Sequence, residues 1–114
     1  MATRYDDFDS FWEHFVRSHT RPRTQWMHTA GVALWCTGAA TTLLRRSPWP
    51  FVAGSAAFAA FALGAHPLFE GNLPENTGQP LLGILGNFRM AWHTLRGTMA
   101  GEVERAMRDD PAST

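Results

Sequence analysis

Lysine is missing from this chain: its ten basic residues are all arginine, and ten acids balance them to a formal net charge of zero. That balance leaves no basic footprint for general nucleic-acid binding, so nucleic acid is not an expected partner. The all-arginine set points to GC-rich bacterial coding and says nothing of function. Cysteine is almost as scarce. The single Cys36 excludes an internal disulfide and a paired-thiolate metal site, and its place in an apolar run reads as a small buried residue. Strand-like alternation, internal repeats, a P-loop, a dinucleotide-binding glycine pattern and a GxSxG elbow are all missing. The first residues, "MATRYDDFDSFW", are acidic and lack the apolar core of a signal peptide. At 114 residues there is enough chain for one core, hence one domain over 1–114.

Charge is also missing locally, and there the absence is informative. Residues 26–44 and 47–69 contain no Asp, Glu, Lys or Arg over 19 and 23 positions, with only Arg45 and Arg46 between them. About 20 apolar residues suffice to cross the hydrocarbon of a bilayer as a helix. Trp26 and Trp49 bracket the first segment where interfacial aromatics sit. The small residues of "GSAAFAAFALGA" would let two such helices pack closely, within the chain or in a homodimer. Overall hydropathy is slightly negative, which keeps a soluble helical bundle open as an alternative.

The expected fold is all-α, with about four helices. An amphipathic helix over 6–19 starts among Asp6, Asp7 and Asp9 and carries the stripe Phe8, Phe11, Trp12, Phe15 and Val16. A transmembrane hairpin over 24–46 and 48–66 follows, turning at Ser47 and Pro48. "EGNLPENTGQP" reads as a loop, and an amphipathic helix and tail over 80–108 complete the chain.

Histidine placement then matters. His28 lies nineteen residues before Ser47 and His66 nineteen after it. At 1.5 Å per residue both fall roughly 28 Å from the turn, at one end of the hairpin. The short link from Thr20 to Arg23 brings His19 to the same end. Three neutral imidazoles from distant positions suit iron, zinc, copper or nickel, and Glu70, four residues after His66, could join them. Pro67 opposes helical geometry at His66, and isolated histidines with satisfied hydrogen bonds are the alternative. His14 falls on the opposite side of its helix and reads as a surface residue.

The segments "HTRPRTQWMH" and "HPLFEGNLP" have the forms H-x2-P-x5-H and H-x3-E-x-N-x-P. Together with "FRMAWHTL" they resemble the family of small helical membrane proteins that includes the fungal 2-hydroxy fatty acid dioxygenase of phytosphingosine metabolism. The resemblance runs from Phe8 to Arg96, and Pro67 departs from it, replacing a residue that is usually apolar. It implies iron(II)-dependent α-oxidation, in which a 2-hydroxy fatty acid and O2 give the acid one carbon shorter. It also implies His19, His28 and His66 as iron ligands, with Glu70 and Asn72 as ligand, catalytic or supporting groups.

Arg21, Arg23 and Arg89 are candidates for binding the substrate carboxylate. Arginines flank both ends of the apolar segments. The expected setting is an integral protein of a bacterial inner membrane, histidine cluster on the cytoplasmic side, with the lipid bilayer as partner. The competing reading is a small membrane adaptor whose histidines bind zinc or are purely structural.

Overall fold

Asp7 opens the first helix: its carboxylate accepts a 2.8 Å hydrogen bond from the Ser10 amide, satisfying a donor that the helix start leaves free. The computed structural model describes residues 5–72 and 79–109, and within them finds helices and no strand. Helix α1 spans Phe8–Arg17. It stops short of Thr20 because the Ser18 and His19 amides close onto the carbonyls of Phe15 and Val16, a tightened last turn. The stripe Phe11, Trp12, Phe15 and Val16 is buried, as its spacing requires.

Helices α2 (Pro22–Arg45) and α3 (Trp49–Ala65) form the hairpin. Pro22 occupies the first turn of α2, where its missing N–H costs nothing. Arg46 ends the helix in the left-handed conformation, at φ 52°. The Phe51 amide donates to Thr42 Oγ1 at 2.7 Å, and deeper in the pair Trp35 stacks on Phe58 at 4.7 Å. Gly31 lies against Phe58 and Phe61. Partners step backwards on one helix as they step forwards on the other, so the two run antiparallel. Glycines allow the close approach, since a methyl at Gly54 would meet the Leu34 carbonyl at 2.8 Å.

The hairpin arms differ in kind. Trp49–Glu70, 22 residues including the turn after α3, is long and apolar enough to cross a membrane, and 17% of its most apolar stretch is buried inside the protein. Among the described residues no other helix qualifies. Helix α2 has the length, but its first turns bury Thr24, Gln25, His28 and Thr29. Of the expected two-helix transmembrane hairpin, only the second arm is thus long and apolar enough to cross a membrane among the described residues. Cys36, expected inside, is exposed.

The helix expected over 80–108 is two: α4 (Pro80–Arg96) and α5 (Met99–Arg108). Gly97 breaks it, taking φ 76° as its amide and that of Thr98 cap the carbonyls of α4. Among the described residues the count is therefore five α-helices. Phe11, Trp12, Phe15 and Val16 pack with Met90, Met99 and Ala106 into one core. Helix α4 bridges this core to the hairpin: Gly86 meets Phe15 on one side, and Phe88 reaches Trp35 at 6.0 Å on the other.

Candidate metal centre

Three histidines converge where the core meets the open end of the hairpin. His19 follows α1, His28 sits on α2 and His66 follows α3, and all three are buried. One ligand nitrogen from each lies within 4.8 Å of the other two. The ring centroids are 4.7, 4.5 and 5.3 Å apart, with planes crossed at 78–86°, so the rings meet edge to face around a shared space. Equal distance from the hairpin turn accounts for His28 and His66. The tight end of α1 accounts for His19, whose ring also stacks on Phe15 at 3.9 Å.

Hydrogen bonds fix which nitrogen each ring offers. His19 Nδ1 lies 2.6 Å from the Phe15 carbonyl, and His28 Nδ1 lies 2.9 Å from that of Thr24. A carbonyl can only accept, so both Nδ1 atoms carry the proton. His66 Nδ1 donates to Asn72 Oδ1 at 2.7 Å, and the Asn72 amide nitrogen is turned the other way by the Ser18 carbonyl. In its neutral form each ring therefore offers Nε2 as the ligand atom. Burial first, and the neighbouring His28 second, hold His19 well below the usual histidine range, favouring the neutral imidazole that a metal requires. This donor set fits a divalent transition metal with positions left for other ligands.

Glu70 is occupied differently. Its Oε1 accepts from the Thr20 amide at 2.7 Å and from the Thr20 hydroxyl. Its Oε2 accepts from the Arg21 amide at 3.1 Å and from Thr24 Oγ1 at 2.7 Å. The carboxylate thus caps the start of α2, which has no cap from its own residues. One group fastens the segment bearing His66 to those bearing His19 and His28. The obstacle posed by Pro67 is solved locally: His66 keeps helical angles (φ −62°, ψ −55°), and the chain widens into a π-helical turn over His66–Glu70. Gly71, at φ 73°, ends that turn with its amide on the His66 carbonyl.

Arg21 and Arg23 are exposed on the first turn of α2. Arg89 lies elsewhere, its guanidinium 3.8 Å from Asp9, 3.7 Å from Glu102 and 4.6 Å from the Trp12 ring. His93 belongs to that second cluster, 3.4 Å from Glu102. His14, read as a surface residue, is half-buried against Tyr5 and lines a cavity beside the three histidines. That cavity, about 280 Å³, is otherwise walled mainly by apolar residues such as Phe11, Phe15, Ala62 and Leu63. Sequence reasoning missed Thr20, Thr24, Ser18 and Phe15 as supporting groups. The available signal was register: Phe15 and Thr24 each lie four residues before a histidine.

The three histidines are placed where they could hold a metal ion, beside a largely apolar cavity. Comparison with curated proteins and with solved structures gives no match. A protein-family model does match, over residues 5–99, a stretch holding all three histidines, Glu70 and Asn72 and ending where α5 begins. The chain belongs to the family described as 2-hydroxy-palmitic acid dioxygenase Mpo1-like.

Proposed function

We propose that this protein is an iron(II)-dependent dioxygenase that converts a 2-hydroxy fatty acid and O2 to the acid one carbon shorter. With carbon dioxide and water as the other products, atoms and electrons balance on one O2 without a separate reductant. The observation that carries the reading is the convergence of His19, His28 and His66, three buried imidazoles with one ligand nitrogen from each within 4.8 Å of the others and each Nδ1 held by an oxygen acceptor. Those residues would hold the iron, which supplies the capacity to react with O2 that side chains lack.

The rest of the work falls to the protein. Asn72 and the two carbonyls keep the imidazoles in the tautomer that binds metal. Glu70 acts as a positioning residue, its four hydrogen bonds holding the ligand-bearing segments together. The cavity receives the hydroxy-acid end of the substrate, and its apolar wall limits access of water. Arg21 and Arg23 remain available to the carboxylate, whereas Arg89 is engaged by Asp9 and Glu102. The hairpin sits in the bilayer of a bacterial inner membrane, consistent with the exposed apolar surface of α3, with the histidine end at the cytoplasmic face.

The test is metal analysis of protein purified in detergent without oxygen, beside His66→Ala. Near-stoichiometric iron in the parent, lost in the variant, is expected, together with O2 uptake and pentadecanoic acid formation from 2-hydroxypalmitic acid. Folded parent that holds zinc, or no metal, and consumes no O2 after iron is supplied would return these histidines to the adaptor reading.

A further inference from the structure

The cavity beside the histidines has an outer rim as well as a metal-facing wall. Leu63 lines it and is nevertheless 56% exposed, and Pro80, at the first turn of α4, lines it and is exposed too. Gly83 lines the same cavity from α4, in register with Pro80 and Asn87. A methyl built on Gly83 would touch nothing within 4 Å. The rim thus leads outward between α3 and α4.

About a third of a turn around α4 from these cavity-lining residues, the exposed surface is apolar. On α4, Leu81, Leu85, Phe88, Trp92 and Leu95 recur at intervals of four and three, and all are at least 41% exposed. Phe88 joins this stripe to Trp35 of the hairpin. Leu63 sits three residues before His66, roughly 4.5 Å further along α3 into the apolar segment. Size adds a constraint. A volume of about 280 Å³ is at the lower limit of pockets that enclose a drug-sized ligand, so a long acyl chain cannot be swallowed whole.

We infer that the gap between α3 and α4, rimmed by Leu63, Pro80 and Gly83, is a lateral portal through which a bilayer-dissolved fatty acyl substrate presents its head to the histidine site. The tail stays outside, against α3 and the α4 stripe. The inference rests on the proposed substrate class but not on turnover. Leaving the chain in lipid spares the cost of transferring a long apolar tail through water, and it explains why the cavity is small while the surface leading from it is apolar.

The experiment uses the full chain in proteoliposomes with two photoactivatable 2-hydroxypalmitic acids, one carrying its diazirine near the carboxyl end and one at the tail end. Peptide mapping should find the head-end probe on the cavity wall around Phe11 and Phe15, and the tail-end probe on exposed Leu63, Leu81 or Leu85. Gly83→Trp should lower head-end labelling at least tenfold while iron content and Tm stay at parental values. Gly101→Trp, at another helical glycine with open space around it, should change neither. Head-end labelling undiminished in Gly83→Trp, or tail-end labelling inside the cavity, would overturn the portal. Parental labelling without O2 uptake would instead count against the dioxygenase reading while leaving the portal standing.

Discussion

Asn72 does for His66 what the main chain does for His19 and His28: it accepts the Nδ1 proton and leaves Nε2 free. Partners of this kind typically contribute 10–100-fold to metal affinity. Asn72→Leu is expected to weaken iron binding by that order in a chelator competition titration, and Asn72→Asp, which still accepts, to restore most of it. His19 makes a prediction of its own for metal-free protein. Its folded value is lowered, whereas the unfolded side chain takes up a proton near pH 6.5. The unfolded state then binds more protons as pH falls below that value, so stability should fall on acidification from neutrality. Thermal unfolding followed across that range checks it; a Tm that rises on acidification would contradict the buried neutral histidine.

At the scale of elements, glycine separates packing from propensity within α4. A methyl at Gly86 would approach the Phe15 ring at 2.9 Å, and that ring stacks on His19. Gly86→Ala should cost about 1–3 kcal/mol through overpacking and weaken iron binding as Phe15 shifts. Gly83→Ala, three residues away in open space, should instead stabilise by about 0.5–1 kcal/mol, the helix propensity difference alone. Denaturant titration of the two variants should give opposite signs. The element boundaries carry a related lesson. The stripe of α1 was legible because 3.6-residue periodicity is local, but the break at Gly97 was not, since the polar sequence beyond it continues a plausible helix.

The whole molecule has two polar centres with different tasks. Glu102 of α5 is buried, accepts from Trp12 Nε1 at 3.0 Å and pairs with Arg105, Arg89 and His93. It fastens α5 to α1 and α4. Glu102→Leu should destabilise the protein by about 1–3 kcal/mol, because it leaves the buried Trp12 Nε1–H without its acceptor. Iron stoichiometry should stay unchanged, and hydrogen exchange should show the loss of protection concentrated in α5. Loss of iron together with α5 protection would mean that the two centres are coupled.

By itself the sequence determined the helical class, the hairpin and the meeting of His28 with His66, since both follow from periodicity and equal counts along antiparallel helices. It also carried the two motifs that tie the chain to its family. Where the polar atoms of the motif residues point depends on tertiary contacts. Spacing left Glu70 open as a ligand, but its oxygens face donors from Thr20, Arg21 and Thr24, some fifty residues away in the chain. The cavity and the exposed rim at Leu63 likewise depend on contacts between α1, α3 and α4. Such contacts are set by how side chains fill shared space, and linear spacing does not encode that.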